Sequence, residues 1–430
     1  MTVFILKNKK VLIAVLLGLL MFAFLLIVYE GADMTAPIMF SLIYLMALVL
    51  LAFVKKLDTP AFLISAAIAA ALVYARVCLL FNETADYLHF LLPWTETLAE
   101  AKGMSGLGLE IGNYTTPYMT MLWIIAKTGL DPLISIKAAS CVFDVLLAYY
   151  AMKCVELKTD KKAVLVLVFA ATFGLPTVIL NGSYWGQCDS MHSALLIAAL
   201  YYGIKGESVK SVLSFSFAFV FKMQSVFMIV GIAALLMNSK IKLKHLWILP
   251  AVYLGVQIPA VIGGMNVFTA IVLPFKMLNS VTYGRLTLNA PTLWSFFEYA
   301  DYDAFSTPAL FIAGAAVLGF IYYVFTVRKR INTPKLYILT AYLSVMIMTF
   351  LLPSMHERYY FTADILSVIL VFYDRRLWYI PLVTCIGSLV SYMPYLTGAT
   401  VIEFPIVAAA FCAVIAMSLK TLVCEVGKET

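Results

Sequence analysis

Acidic and aromatic side chains gather in the first long polar stretch of the chain, residues 81–118. This stretch lies between two apolar segments and holds five acids against a single lysine. Tyr87 directly follows Asp86, and Trp94 comes soon after; aromatic side chains in such a place are typical of a membrane–water boundary. A carboxylate there can take a proton from a hydroxyl group, so we interpret Asp86 as a general base.

A second cluster of chemical groups lies in the segment HERYY, residues 356–360. It offers an imidazole, a carboxylate, a guanidinium and two phenols, and helical spacing puts His356 on one face with Tyr359 or Tyr360. Arg358 can bind a phosphate through two hydrogen bonds, whereas Lys222 acts as a point charge. Together the residues expected to bind an anionic group are His356, Glu357, Arg358, Tyr359, Lys222 and Gln224.

Polar residues also gather in three shorter segments, GNYTTPY (112–118), YWGQCD (184–189) and LTLNAPTLW (286–294). Polar groups at membrane depth are costly and usually face a cavity or a pathway. We therefore expect all of these segments to meet at one cavity on one side of the membrane. Its lining is predicted to include Tyr87, Trp94, Tyr114, Trp185, Gln187, Asp189 and Asn289.

The composition is that of a membrane protein. Of the 430 residues, 63% are hydrophobic and only 12% are charged, with a mean hydropathy of +0.97. A soluble domain has roughly half its residues apolar and about a quarter charged. The net charge of +7 is interpreted as a sign of topology and not of nucleic-acid binding. The seven cysteines have no metal-ligand spacing, and no metal or other cofactor is indicated; only Asp86 with Asp189 is conceivable as a carboxylate pair.

The elements that position these residues are predicted to be membrane helices. A spanning helix needs about 20 apolar residues, and fourteen segments predict an all-α polytopic membrane protein. Those at 208–222, 225–238 and 361–374 are short for a full crossing. The fourteen segments are 11–28, 38–54, 60–80, 131–153, 161–180, 189–204, 208–222, 225–238, 245–263, 308–327, 336–353, 361–374, 377–396 and 402–420.

The distribution of lysine and arginine predicts the orientation. Loops on the side of both termini hold 22 of the 30 basic residues, and the opposite loops hold six. This bias predicts cytoplasmic termini and an Asp86 loop outside the cytoplasm. The first run, Val11–Val28, follows Lys7 and is interpreted as an uncleaved helix. The segment Pro117–Leu130 is predicted to lie in the outer membrane interface as an amphipathic helix, with Lys127 snorkelling.

Three parts of the chain are distinguished. Residues 1–58 are predicted to form an N-terminal transmembrane hairpin that the chemistry does not need. Residues 59–376 form the membrane module that carries every candidate site residue. Residues 377–430 supply C-terminal transmembrane helices.

Several of these residues also have plain structural interpretations. Asp86 can serve as a helix cap or an interfacial anchor, and HERYY can be an ordinary aromatic turn at the membrane surface. Asp144 and Lys137 lie seven residues apart on one helix face and are interpreted as an indirect structural pair, and Arg76 is interpreted as part of a similar pair elsewhere. We leave these three residues out of the predicted site.

The spaced motifs resemble those of a known family. DYLHFLLPW (86–94), GNYTTPY (112–118), YWGQCDS (184–190), FKMQ (221–224), LTLNAPTLW (286–294) and HERYYF (356–361) are similar, in this order, to motifs of the bacterial mannosyltransferase-like proteins. Those proteins are related to the GPI-anchor mannosyltransferases and belong to the GT-C superfamily of membrane glycosyltransferases. The resemblance covers roughly residues 60–376.

The resemblance implies a GT-C glycosyltransferase fold with juxtamembrane helices in the first long outer loop. It implies an inverting transfer of a hexose, outside the cytoplasm, from a polyprenyl-phosphate-linked donor to a cell-envelope glycan or lipid-linked acceptor. The first-loop acid of the family falls on Asp86, and its basic residue before glutamine falls on Lys222. Its WGQ-x-D turn falls on Trp185, Gly186, Gln187 and Asp189, and its HER segment falls on His356, Glu357 and Arg358. The sequence departs from the family at Tyr114, where Thr-Thr-Pro replaces a paired-proline pattern.

Two other functions remain open alternatives. A transporter or flippase of lipid-linked sugars would also expose polar groups in a membrane, but no inverted repeat is evident in the sequence. A structural subunit without chemistry would tolerate changes in HERYY. Asn113 and Asn181 lie in glycosylation sequons, and glycans attached there would crowd the predicted cavity. This favours a bacterial plasma membrane, where the sequons would stay unmodified.

Overall fold

The computed structural model describes residues 9–31, 33–280 and 283–428, with the backbone alone for 277–280. Lys7, which the predicted topology counts, lies outside the described residues. The described chain is mostly helical. Its α-helices are α1 Lys9–Val28, α2 Thr35–Ala52, α3 Thr59–Val77, α4 Leu92–Glu100, α5 Thr116–Thr128, α6 Pro132–Glu156, α7 Lys162–Phe173, α8 Pro176–Ile179, α9 Asp189–Ile204, α10 Ser208–Phe221, α11 Ile229–Met237, α12 Ile248–Gly255, α13 Ile258–Ile262, α14 Val267–Ser280, α15 Tyr302–Val327, α16 Pro334–Leu351, α17 Phe361–Tyr373, α18 Tyr379–Thr397 and α19 Phe404–Gly427.

Short helical turns and two short strands connect these helices. The π-helical turns are Tyr87–Leu91 and Leu180–Trp185, and the 3₁₀ turns are Ser105–Gly108, Met223–Met228, Leu243–His245, Leu293–Phe297, Arg328–Arg330, Glu357–Tyr360 and Arg375–Leu377. Strands β1 (Thr287–Leu288) and β2 (Met355–His356) pair in parallel, with Leu288 opposite His356. Every segment that the sequence predicted to span the membrane overlaps helix, but 161–180 breaks between α7 and α8 and 245–263 breaks between α12 and α13.

The chain is an all-α polytopic membrane protein. Within the described residues nine helices are long and apolar enough to cross a membrane, or ten if the bent pair Lys162–Phe173 and Pro176–Trp185 counts as one span. Shorter apolar helices occur at Ser208–Phe221, Met223–Met237 and Val267–Lys276. The total of fourteen crossings stays a prediction, because the short helices do not reach the length of a simple span.

The contacts divide the chain into two compact units. The N-terminal unit comprises Met1–Gly106 and Met119–Ala194, and the C-terminal unit comprises Leu107–Tyr118 and Leu195–Thr430. In the N-terminal unit α2 packs against α1, α3 and α6, and α7 packs against α3 and α6. In the C-terminal unit α16 packs against α11, α15, α17 and α19. The three parts predicted from the sequence, with boundaries near residues 58 and 376, were distinguished by their expected roles. These boundaries stay predictions.

Several helices begin at a capping residue followed by proline. Asp58 caps α3, and Asp131 caps α6 by accepting a hydrogen bond from Ile134 N at 2.8 Å. Thr333 caps α16 in the same way. A side-chain oxygen at this position satisfies an amide that the helix leaves without a partner, and proline fits the first turn because it has no amide hydrogen. These local signals fix where the apolar runs become helices.

The first long polar loop carries helices, as the resemblance implied. They are the π-helical turn Tyr87–Leu91, α4 and α5. The helix predicted at Pro117–Leu130 is confirmed as α5, whereas its place at the membrane surface stays a prediction. Lys127 Nζ donates to the carbonyl oxygens of Ala99 and Ala101 at 2.8 and 2.6 Å. This lysine therefore caps the end of α4 and does not simply extend away from its own helix.

Candidate functional site

Asp86 lies in the N-terminal unit, directly before the π-helical turn Tyr87–Leu91. Its side chain is half-buried. The Oδ2 atom accepts hydrogen bonds from Trp185 Nε1 at 2.9 Å and from Gln187 Nε2 at 2.6 Å. Both donor residues are almost completely buried. Because two buried side chains hold one oxygen, the carboxylate has a fixed orientation.

The two donors belong to a turn that requires a glycine. The π-helical turn Leu180–Trp185 ends at Gly186, whose φ of 79° lies in the left-handed region that side chains disfavour. This reversal lets Gln187 N donate to Asn181 O at 2.8 Å. Asn181 Nδ2 in turn donates to Asp189 Oδ2 at 2.9 Å, at the start of α9. The turn is thus closed on itself and presents Trp185 and Gln187 to Asp86.

A direct bond also joins the Asp86 loop to this turn. The Thr84 hydroxyl donates to Trp185 O at 3.1 Å, and both residues are buried. Asp189 is 1% exposed, so its carboxylate lies inside the turn. The predicted role of Asp189 in an acceptor pocket stays a prediction.

Tyr87 and Trp94 differ in how much surface they present. Tyr87 is buried, with 5% of its surface exposed. Burial raises its pKa to about 12, and the nearby carboxylates Asp131, Glu83 and Glu96 add to the effect, so this phenol stays neutral at physiological pH. Trp94 is half-buried, and its ring centroid lies 5.8 Å from that of Phe90.

The N-terminal unit also contains a buried ion pair between α3 and α6. Arg76 Nη2 lies 3.2 Å from Asp144 Oδ2 and donates to Phe173 O at 2.7 Å. Both charged side chains have no exposed surface, and the guanidinium carbon lies 3.9 Å from the Phe173 ring centroid. The pairing of Asp144 with Lys137 that the shared face suggested is therefore corrected: Arg76 is the partner of Asp144.

The predicted anion-binding residues gather in the C-terminal unit. Lys222 ends α10 and leads into the 3₁₀ turn Met223–Met228. Its side chain is 7% exposed, and its Nζ atom lies 5.4 Å from the centroid of the Tyr359 ring. Gln224 Nε2 donates to the Tyr359 hydroxyl at 2.9 Å. A cation over an aromatic face is stabilised by the ring quadrupole, so Tyr359 joins Lys222 and Gln224 in one group.

The HERYY segment begins in a strand and continues in a 3₁₀ turn. His356 pairs with Leu288 in the parallel ladder and forms an isolated antiparallel bridge with Asn289. The His356 ring lies 5.3 Å from the Tyr359 ring, which confirms that these two side chains share a face. Tyr360 points elsewhere: it is fully buried and donates to Pro291 O at 3.0 Å.

Glu357 and Arg358 form an ion pair at the start of that turn. Arg358 Nη1 donates to Glu357 Oε1 at 3.0 Å. Burial alone raises the pKa of Glu357, but the contact with His356 and the charge of Arg358 outweigh it. The pKa of Glu357 therefore lies below its ordinary value, and the side chain is ionised at neutral pH.

The last two predicted site residues also belong to the C-terminal unit. Tyr114 is half-buried and stacks on Tyr118, with ring centroids 4.3 Å apart. Asn289 is exposed and adopts a φ of 58°, a left-handed conformation that asparagine tolerates better than most residues. Its backbone bridge to His356 places it next to the anion-binding group.

Most of the predicted site residues thus form two groups, and all members of each group belong to one unit. The Asp86 group consists of Asp86, Trp185, Gln187 and Asp189, and the cationic group consists of Lys222, Gln224, His356, Glu357, Arg358, Tyr359 and Asn289. Sequence reasoning missed Asn181 as the residue that closes the turn containing Trp185, Gly186 and Gln187, here called the WGQ turn. Its position six residues before Gln187, just ahead of the polar segment 184–189, was the available signal.

The described residues contain no group of three or more His, Cys, Asp or Glu side chains placed to hold a metal ion. The conceivable carboxylate pair is Asp86 with Asp189. Their carboxylates have different partners, since Asp86 accepts from Trp185 and Gln187 whereas Asp189 accepts from Asn181. No family model and no curated protein matches the chain, so function is inferred from the geometry of the two groups.

Proposed function

We propose that the protein is an integral membrane glycosyltransferase. It moves a hexose from a polyprenyl-phosphate-linked donor to a cell-envelope glycan acceptor at the outer face of the membrane. One observation carries the proposal: the Asp86 carboxylate is held by hydrogen bonds from Trp185 and Gln187. Fixing a proton acceptor in one orientation is what general-base catalysis requires.

In the proposed reaction an acceptor hydroxyl attacks the anomeric carbon of the donor hexose. The bond between that carbon and the phosphate oxygen breaks, and its electron pair leaves with the polyprenyl phosphate. The hydroxyl proton goes to Asp86. A single displacement of this kind inverts the anomeric configuration, because no enzyme carboxylate forms a covalent intermediate.

The cationic group would bind the donor through its phosphate. Lys222 and Arg358 carry two positive charges, and the ionised Glu357 carries one negative charge, so the group favours a singly charged phosphodiester. As the glycosidic bond breaks, negative charge grows on the departing phosphate. Fixed cations stabilise such charge most when they are already in place. His356, Gln224 and Tyr359 add hydrogen-bonding groups around them.

The proposed location is a bacterial plasma membrane. Long apolar helices make the chain a multi-pass membrane protein, and the excess of lysine and arginine in alternate loops supports cytoplasmic termini. In that orientation both groups act outside the cytoplasm. Reporter fusions to the loops at residues 102 and 158 test this orientation, since the first is expected outside and the second inside.

The direct test uses purified full-length protein in proteoliposomes with radiolabelled polyprenyl-phosphate hexoses and envelope glycan acceptors. We expect label to move from the lipid to the acceptor. Asp86→Asn is expected to stop transfer, and Glu83→Gln, an exposed acid in the same loop, is expected to leave it intact. Transfer at the normal rate by Asp86→Asn would refute the assignment of the base.

Transport of lipid-linked sugars is the second candidate function, and one observation favours it. The helical segments Lys162–Phe173 and Pro176–Trp185 are bent by 46° at their break, and transporters often build their sites at broken helices. This break leads directly into the turn that holds Asp86. The same proteoliposomes separate the two functions, because a transporter moves label between leaflets without removing it from the lipid.

A further inference from the structure

One face of α6 carries a line of buried polar side chains. Lys137, Ser140, Cys141 and Asp144 follow helical spacing, and each is 1% exposed or less. Polar side chains inside a membrane helix are costly and are usually retained for a specific contact. Asp144 is explained by its pair with Arg76. The contacts of Lys137 and Ser140 lead to the loop and the turn that meet at Asp86.

Lys137 holds the backbone just before Asp86. Its Nζ atom donates to Leu80 O and Asn82 O, both at 2.7 Å, and lies 3.3 Å from Leu79 O. These carbonyl groups follow the end of α3, where a helix leaves carbonyls without internal partners and has a partial negative charge. One buried ammonium group therefore fixes three carbonyl groups in the loop that leads to Asp86.

The same face of α6 also holds the WGQ turn. A methyl group placed on Gly186 would lie 3.7 Å from Lys137 Cγ, so the stem of the lysine packs along this glycine. Ser140 Oγ donates to Gln187 O at 2.7 Å, and Ser190 Oγ donates to Ser140 O at 3.1 Å. Lys137 thus contacts both chain segments whose side chains meet at the carboxylate.

We infer that Lys137 is a positioning residue for Asp86, an inference that rests on the proposed function of that carboxylate. Its ammonium group sets the path of residues 79–82, and its stem supports the turn that carries Trp185 and Gln187. A displacement of about 1 Å at a reacting group can reduce a rate roughly 100-fold. Loss of Lys137 should therefore slow the chemical step without weakening donor binding.

Three variants test this inference in the full-length protein. Lys137→Met keeps a long side chain and removes all donors, whereas Lys137→Arg keeps donors in a different geometry. Lys153→Met makes the same change on the same helix, where the lysine pairs with Glu156 near the helix end. We expect Lys137→Met to lower kcat at least tenfold with the donor KM within twofold, Lys137→Arg to recover part of the loss, and Lys153→Met to match wild type.

Hydrogen exchange supplies a readout that does not depend on activity. Lys137→Met should speed amide exchange in residues 79–88 and leave residues 355–361 unchanged. If Lys137→Met folds poorly, Lys137→Arg carries the same comparison with a smaller expected loss.

The outcomes separate failure of this inference from failure of the proposed function. Normal kcat in Lys137→Met, or a fall in kcat that only follows the amount of folded protein, overturns the positioning role. If wild-type protein transfers no sugar, the proposed function fails. In that case exchange still decides the local claim: faster exchange confined to 79–88 upholds it, and unchanged exchange overturns it.

Discussion

The Asp86 group and the cationic group are built by different kinds of interaction. Asp86 is held by hydrogen bonds of 2.6 and 2.9 Å from buried side chains. The cationic group depends more on ring contacts, with Lys222 5.4 Å from the Tyr359 ring and His356 5.3 Å from it. In its ion pair of Glu357 with Arg358, 13% of the arginine side chain is exposed.

The difference suggests that precise geometry matters more in the Asp86 group and that charge matters more in the cationic group. Hydrogen bonds are directional and weaken steeply when distance or angle changes. Attraction between charges declines slowly with distance, so a phosphate can be bound in a group with looser geometry. We expect the Asp86 group to control proton transfer in the chemical step, and the cationic group to control both donor affinity and the departure of the phosphate.

The largest effect is expected for Asp86→Asn. An amide of the same shape cannot accept the acceptor proton, and general-base catalysis contributes roughly 10²–10⁴-fold to a rate. We expect kcat for sugar transfer to fall by that factor while radiolabelled donor still binds. Donor binding and transfer are measured on one preparation, with Glu83→Gln as the control.

Arg358→Ala should weaken donor binding as well as slow transfer, which distinguishes it from Asp86→Asn. A hydrogen bond to a charged group contributes about 1.5–3 kcal/mol, so the donor KM should rise roughly tenfold or more. The change also leaves Glu357 buried without its cation, which lowers stability. The double variant Arg358→Ala with Glu357→Gln removes that problem. A donor KM equal to wild type in the double variant contradicts the phosphate role.

Trp185→Phe and Gln187→Ala test how much each hydrogen bond to Asp86 contributes to its orientation. Each removes one donor to Oδ2, and Trp185→Phe keeps most of the aromatic ring. We expect kcat to fall about tenfold in each variant and the donor KM to stay constant, since the lost bond orients Asp86. A change confined to KM would assign these two residues to binding instead.

The smallest effect is expected for Gly186→Ala. A methyl group fits at this position, where the nearest side-chain atom would be 3.7 Å away, but a left-handed residue costs about 1–2 kcal/mol. Gly129→Ala is a matched control, because Gly129 has a φ of 70° and nothing within 4 Å of the added methyl. Both variants should lose similar thermal stability, and only Gly186→Ala should lose activity, by a few-fold.

The sequence predicted the helices well because a membrane helix requires a long apolar run, which is easy to recognise in a sequence. Asp58 and Asp131 each cap a helix that has proline in its first turn, and both are local signals of a helix start. The spacing also predicted that His356 shares a face with Tyr359 or Tyr360, and the ring of Tyr359 is the one that lies beside it. All of these features depend on residues near one another in the chain.

Contacts between distant residues could not be predicted in the same way. Lys137 bonds to backbone carbonyls, and every residue offers such a carbonyl, so side-chain types give no hint of the partner. Arg76 and Asp144 are 68 positions apart, and shared spacing on α6 suggested Lys137 as the partner instead. The supporting contacts around Asp86 became visible only when the helices were placed together.

The Arg76–Asp144 pair also bears on how the chain enters its membrane during synthesis. Arg76 leaves the ribosome with α3, well before Asp144 emerges on α6. Arg76 lies in the last turn of α3, but Asp144 lies at the middle of α6, where a charged residue in an isolated helix costs about 2.5–3.5 kcal/mol on insertion. We therefore expect α6 to enter the lipid against α3, so that Arg76 neutralises Asp144 as it reaches the membrane interior.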